Sequence, residues 1–193
     1  MNVLIEDAGV ENPEWFERYR GVKGLRSVCE VLAPSILLDS SLPRAERYER
    51  CWEIYRRARR RGLRLSGWTD TYFERLTREN VGLESIIEKI GEWQSNSDVA
   101  FYLHTDFPQK QAIRPQGAPC LQYVHFHTTE SSVSLTALYR SHDYGVKALG
   151  NFIGLTRLAR FVAMETSRSP GNVLCVSLHA YCAGKTNLRK LIT

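Results

Sequence analysis

Three short segments of this 193-residue chain carry residue types that can do chemistry. In the first, Ala118-Pro119-Cys120-Leu121-Gln122, a cysteine opens an apolar stretch. A thiolate is both a strong nucleophile and a good leaving group, so such a cysteine can form and release a covalent adduct. The second segment is Leu138-Tyr139-Arg140-Ser141-His142-Asp143-Tyr144, with Asn151 a little further on. A guanidinium lowers the pKa of a nearby thiol and holds an anion, and an asparagine amide both donates and accepts hydrogen bonds. The third is Ser177-Leu178-His179-Ala180-Tyr181. Every one of these residues also has a structural reading. Cys120 could be a buried strand cysteine. Arg140 and Asp143 could form an ion pair, and Asn151 could cap a helix. His179 and Tyr181 could be core residues satisfied by backbone groups. His142 reads as a supporting residue rather than a catalytic one.

The elements around these segments are set by periodicity. Residues 120–127 and 132–139 read as two strands joined by a short hairpin connection. Residues 151–166 read as a helix, with Phe152, Leu155, Leu158, Ala159, Val162 and Ala163 on its apolar face. Ser169-Pro170-Gly171-Asn172 carries a turn signal, and 173–178 reads as a buried strand. In the first half, Tyr48, Cys51, Trp52, Tyr55 and Ala58 recur at helical spacing over 44–61, and Gly62 stops the run. A second helix is expected over 83–93, with Ile86, Ile87 and Ile90 on one face, and a strand over 99–104. Helices followed by a mainly β second half indicate an α+β domain. The three segments therefore fall where strands or helices end, which is where sites are commonly built.

Composition narrows the classes. Hydrophobic residues at 43% and charged residues at 24% suit a globular core, and no apolar run nears the roughly 20 residues a membrane helix needs. The start lacks the basic and apolar regions of a secretion signal, so the expected location is cytoplasmic. The five cysteines are scattered and odd in number, without zinc-ligand spacing. No metal site is expected, and Cys29, Cys51, Cys175 and Cys182 are expected in the core. The net charge of +5 suits an anionic ligand. Much of it sits in Arg56-Arg57-Ala58-Arg59-Arg60-Arg61, read as a solvated helix end rather than a nucleic-acid patch.

Taken in order, Pro119-Cys120, Arg140-Ser141-His142-Asp143, Asn151 and His179-Ala180-Tyr181 resemble the thymidylate synthase and pyrimidine nucleotide hydroxymethylase family, above all its short archaeal type. The resemblance runs from 64 to 182 and is strongest over 118–181. It implies a thymidylate synthase-like fold, with a large mixed β-sheet packed with helices, in a single domain spanning 1–193. It also implies one-carbon transfer, methyl or hydroxymethyl, to C5 of a uridine-type nucleotide such as dUMP or UMP. In that chemistry Cys120 adds at C6 of the ring, which turns C5 into an enolate carbon able to attack a one-carbon electrophile. By the same resemblance Arg140 and Ser141 hold the phosphate, Asn151 reads the uracil edge, and His179 and Tyr181 bind the sugar. Asp143 organises the pterin of methylenetetrahydrofolate, Glu30 relays protons, and two copies form a homodimer.

The chain also departs from the family. The arginine pair expected before the strand that precedes the nucleophile is replaced by Asn96-Ser97-Asp98-Val99, and the N-terminal arginine loop is not recognisable. The segment Trp68-Thr69-Asp70-Thr71-Tyr72-Phe73-Glu74-Arg75 lacks the family's glycine. Twelve residues follow Tyr181, which reads as a truncated C-terminus without the tail that closes over the folate. The expectation is weaker phosphate binding and a variant one-carbon reaction. The alternatives are a catalytically inactive member that binds nucleotide or a partner, and nucleic-acid binding through the arginine run.

Overall fold

The computed structural model describes residues 1–6, 25–63, 70–78, 82–93, 99–105 and 119–183. Five strands form the main sheet: β1 (Asn2–Ile5), β2 (Val99–His104), β3 (Leu121–Thr128), β4 (Ser132–Tyr139) and β6 (Ser169–Ser177). Their order is β1-β6-β4-β3-β2. β2, β3 and β4 are antiparallel neighbours, β6 runs parallel to β4, and β1 pairs antiparallel with β6. A second, two-stranded piece pairs β5 (His142–Asp143) in parallel with β7 (Ala180–Tyr181). With helices packed on it, this is the mixed sheet of an α+β fold.

Period-two alternation sorts the faces of β4. Val133, Leu135, Ala137 and Tyr139 are buried, whereas Ser132, Ser134, Thr136 and Leu138 are half-buried. The buried set meets Leu155, Leu158, Ala159, Phe161 and Val162 of helix α5 (Ala148–Glu165) in one core. The second helix against α5 is α1 (Leu25–Leu32). Their close approach depends on two glycines one turn apart. A methyl group at Gly150 would stand 2.7 Å from Val28 Cβ, and one at Gly154 would stand 2.8 Å from Leu32 Cδ2. Gly154→Val should therefore force these helices apart and cost about 1–3 kcal/mol in a urea melt. An unchanged midpoint would show that α1 is not held where it is described.

The other helices are α2 (Arg44–Arg60), α3 (Tyr72–Leu76) and α4 (Leu83–Glu92). The periodic reading of α2 and α4 holds to within a residue or two at each end. Gly62, at φ 71°, follows α2. The arginine run at the end of α2 is largely paired with carboxylates. Arg57 meets Glu53 at 2.5 Å, Arg59 meets Glu74 at 2.5 Å, and Arg56 bridges to Glu49. Cationic residues at a helix C-terminus with acidic partners fit the solvated-end reading.

Three expectations need correction. Ser169-Pro170-Gly171-Asn172 is not a turn but the first part of β6. A methyl group at Gly171 would stand 2.3 Å from Ser134 Oγ, so any larger residue would have to turn that hydroxyl away, and Pro170 precedes the stretch where β1 joins β6. The chain reverses earlier, where Ser167 takes φ 55°. α5 starts at Ala148, three residues before Asn151. Cys29, Cys51 and Cys175 are buried, but Cys182 is exposed, because it lies beyond the last short strand. Finally, β1, α1 and α3 were not anticipated.

Candidate functional site

The register of the sheet assembles the site. Leu121 lies opposite Tyr139, so Cys120 and Arg140 are the residues just outside the ladder, side by side. The Arg140 N–H donates to the Cys120 carbonyl at 2.8 Å. A β-bulge falls between Leu121 and Tyr123, next to the cysteine. Bulges at such places re-aim a side chain. On the other side, Tyr139 is level with Ser177 in the parallel pair of β4 and β6. The two chains continue together past the sheet, with the His142 N–H on the His179 carbonyl (2.8 Å) and the Tyr144 N–H on the Tyr181 carbonyl (2.7 Å). Ser141 Oγ is 3.3 Å from His179 Nδ1, and the rings of His179 and Tyr181 stack at 5.5 Å. Cys120, Arg140, Ser141, His179 and Tyr181 thus gather at one end of the sheet. The Tyr181 phenol is raised in pKa, first by desolvation, then by Asp143 and Cys120, so these groups share one electrostatic neighbourhood.

The structural readings of these residues do not hold here. Cys120 is half-buried rather than sealed in a strand. Arg140 forms no ion pair with Asp143; its Nε is buried and has no hydrogen-bond partner among the described residues. A buried guanidinium nitrogen left unpaired costs free energy, which an anion placed there would recover. Asp143 instead accepts from the Gly145 N–H (2.9 Å) and the Ala183 N–H (3.1 Å) through Oδ1. That ties β5 to the chain leaving β7. His179 and Tyr181 are exposed, not core. Asn151 is no helix cap, since it lies inside the first turn of α5 and its own N–H bonds the Lys147 carbonyl at 2.9 Å.

Asn151 is buried, 5% exposed, and its Nδ2 lies 2.9 Å from His142 Nε2. Nδ1 of that ring is 3.0 Å from Ser177 Oγ, which also meets Tyr144 Oη at 3.1 Å. Burial lowers the His142 pKa to about 4; Asp143 acts against the shift and Lys147 adds to it. The imidazole is therefore neutral at physiological pH.

Glu30 sits on α1 and binds Arg157 of α5 at 2.6 Å, while its other oxygen accepts from the Ser35 N–H at 3.1 Å. Its hydrogen bonds reach none of the residues gathered around Cys120. Of the departures seen in the sequence, Asn96-Ser97-Asp98, Trp68-Thr69 and the chain after Ala183 lie outside the described residues, as does Ala118 beside the cysteine. A surface pocket of about 530 Å³ lined by Arg44, Tyr48, Arg78 and Glu84 contains none of the candidate residues.

His142, read from the sequence as a supporting residue, takes that place between Asn151 and Ser177. One residue escaped the sequence reading. Tyr72, in the first turn of α3, accepts hydrogen bonds from the N–H groups of Cys120 (3.0 Å) and Leu121 (3.2 Å) and so fixes the turn that carries the thiol. Its helix is started by a reciprocal cap between Thr71 and Glu74, a Thr-x-x-Glu pattern legible in the sequence. Tyr72→Phe leaves two backbone donors without an acceptor and should cost about 1–3 kcal/mol of stability by chemical denaturation. No loss would mean that water or another group takes over.

No family model matches the chain. Curated relatives do. A protein of Methanosarcina barkeri named "Putative thymidylate synthase" is 26% identical over 111 residues, 58% of this chain and 51% of the relative. One of the same name from Methanosarcina mazei is 29% identical over 123 residues, 62% of this chain and 55% of the relative. A third, from Methanococcoides burtonii, is 33% identical over 76 residues, 38% of this chain and 35% of the relative. The chain thus spans about half the length of the first two relatives. Among solved structures, thermostable thymidylate synthase A from Bacillus subtilis superposes with a TM-score of 0.58 at 10% identity, covering 100% of this chain and 67% of that one. At that identity the likeness speaks for the fold. The chain is thus similar in sequence to archaeal proteins named putative thymidylate synthase, and it shares the thymidylate synthase fold.

Proposed function

We propose that this protein is a transferase that moves a one-carbon unit, methyl or hydroxymethyl, to C5 of a uridine-type nucleotide through a thiolate adduct at C6. The observation that carries the reading is the pairing of Cys120 with Arg140, whose buried Nε has no partner among the described residues. A nucleophile beside an uncommitted cation suits an anionic electrophile. In this reading Arg140 and Ser141 take the phosphate, His179 and Tyr181 the sugar, and Asn151 the base edge. Cys120 would add at C6 and make C5 nucleophilic. The one-carbon unit would pass to C5 with its bond to the carrier broken, the C5 proton would leave to a base, and elimination would return the thiolate, with water completing a hydroxymethyl group or hydride from the carrier completing a methyl group. Glu30, held by Arg157, is the proposed proton relay.

Methylenetetrahydrofolate is the proposed donor, and when bound it supplies the one-carbon unit. Asp143 is the candidate to meet its pterin. The Oδ1 of that carboxylate is committed to backbone amides, while Oδ2 carries no hydrogen bond among the described residues. The proposal includes a cytoplasmic protein acting as one domain. Among the described residues no helix is long and apolar enough to cross a membrane.

A homodimer is proposed on the face of the sheet turned away from α5. Leu4 is exposed there, and Leu138, Leu174 and Val176 are half-buried. Light scattering at micromolar concentration should give twice the chain mass, and a monomer would remove this part of the account.

The test of the whole reading is a thermal-shift series with UMP, dUMP, CMP and dCMP. A uridine nucleotide at 100 times its dissociation constant should add about 2.7 kcal/mol. No shift with any of the four overturns the nucleotide reading. A nucleotide-binding protein without turnover would show the shift and no exchange at C5.

A further inference from the structure

We infer that His142 is a positioning residue that fixes which way round the Asn151 amide faces the pyrimidine edge, and so selects uracil over cytosine. This rests on the reading of the residues gathered around Cys120 as a pyrimidine-nucleotide site and adds to it a residue that touches no ligand.

An asparagine amide can rotate by half a turn and exchange its donor for its acceptor. Left free, it would suit either base. Uracil offers a carbonyl at C4 and an N–H at position 3, whereas cytosine offers an amino group and a bare nitrogen. An amide discriminates between them only if its own orientation is set by something other than the ligand.

His142 supplies that constraint. The Asn151 Nδ2 is 2.9 Å from His142 Nε2, and an amide N–H can meet only an unprotonated ring nitrogen. The ring proton then belongs on Nδ1, 3.0 Å from Ser177 Oγ. One direction of donation runs from Asn151 through His142 to Ser177, and it requires a neutral ring. Burial provides this by lowering the imidazole pKa to about 4. Packing and its second hydrogen bond hold the ring. It stacks on Tyr139 at 4.1 Å and 7°, with Tyr144 tilted against it at 5.0 Å and Phe152 edge-on at 5.7 Å. His142 is 2% exposed, so water does not compete for Nε2. With one amide hydrogen committed to His142, Asn151 keeps its carbonyl and its second N–H in a fixed order. One acceptor and one donor of set position match the N3–H and O4 of uracil and oppose the edge of cytosine.

The test compares the wild type with His142→Phe and His142→Gln. Phenylalanine keeps the ring and its stacking but offers no acceptor. Glutamine can place an amide oxygen where Nε2 stands. Calorimetric titration of UMP against CMP, and of dUMP against dCMP, should give the wild type a preference for uracil on the order of 10- to 100-fold. His142→Phe should bring the two affinities to within about threefold of each other, and His142→Gln should restore most of the preference. The nitrogen NMR spectrum of the wild-type imidazole is read without ligand or mutation, and it should show the proton on Nδ1 and a bare Nε2.

Retention of the full preference in folded His142→Phe, or a proton found on Nε2, overturns the inference. Failure of the wild type to bind any of the four nucleotides overturns the reading of the site and the selectivity role with it. Binding that is intact but indifferent to His142 overturns the selectivity role alone.

Discussion

Replacement of Cys120 by serine is expected to abolish exchange at C5 of a uridine nucleotide, measured as release of tritium from the labelled ring. The loss should be on the order of 10³-fold or more, as when a covalent nucleophile is removed. A hydroxyl in the same place is a far weaker nucleophile at neutral pH, because it does not ionise there. Exchange at C5 reports addition at C6 without needing the one-carbon donor, so it isolates the part of the chemistry that belongs to this side chain. The substitution is close to isosteric and the residue is half-buried, so stability should stay within about 1 kcal/mol of the wild type. If the serine variant releases tritium at the wild-type rate, Cys120 plays no part in the reaction. If it unfolds, an alanine variant at the same position separates the two effects.

The second large effect is expected at Arg140. Removing its side chain should weaken binding of a uridine nucleotide by about 1.5–3 kcal/mol, roughly 10- to 150-fold, for the loss of a charge-assisted contact to phosphate. Uridine without its phosphate should bind the wild type and Arg140→Ala with nearly equal affinity, because the arginine then has nothing to hold. That comparison ties the effect to the phosphate and not to damage at the neighbouring cysteine. Arg140→Lys should recover only part of the affinity, since an ammonium cannot reproduce the planar fork of a guanidinium. Equal losses for nucleotide and nucleoside would instead make Arg140 a structural residue, held for its backbone bond to Cys120.

Much of the arrangement was legible in the residues alone, and the misses have physical causes. The β3–β4 pair and α5 could be read because one face of each is continuously apolar, which leaves period two or period 3.6 in the sequence. Ser169-Pro170-Gly171-Asn172 looked like a turn because proline and glycine are turn-formers in isolation. Here Gly171 serves a close approach to Ser134, a tertiary requirement invisible along the chain. Helix α1 was missed for a related reason. It is eight residues long, and its position is set by two glycines on α5. For the site, the order and spacing of Cys120, Arg140, Ser141, Asp143, Asn151, His179 and Tyr181 pointed to one chemistry. Register then brings Cys120, Arg140, Ser141, His179 and Tyr181 to one end of the sheet. The partners of the supporting residues could not be found that way. Tyr72 reaches Cys120 across 48 positions of chain, and His142 earns its role from a contact with Asn151 that depends on where α5 begins.

The most direct measurement of the central claim, a nucleotide held against Cys120, is protection of that thiol from alkylation. The protein is treated with iodoacetamide, with and without a saturating uridine nucleotide, and labelling of the peptide containing Cys120 is followed by mass spectrometry. The account predicts that labelling of Cys120 slows by at least about tenfold when the nucleotide is bound, because C6 of the ring then covers the sulfur. Labelling of Cys120 at an unchanged rate, under conditions where calorimetry shows the nucleotide fully bound, would place the ligand elsewhere and contradict the account.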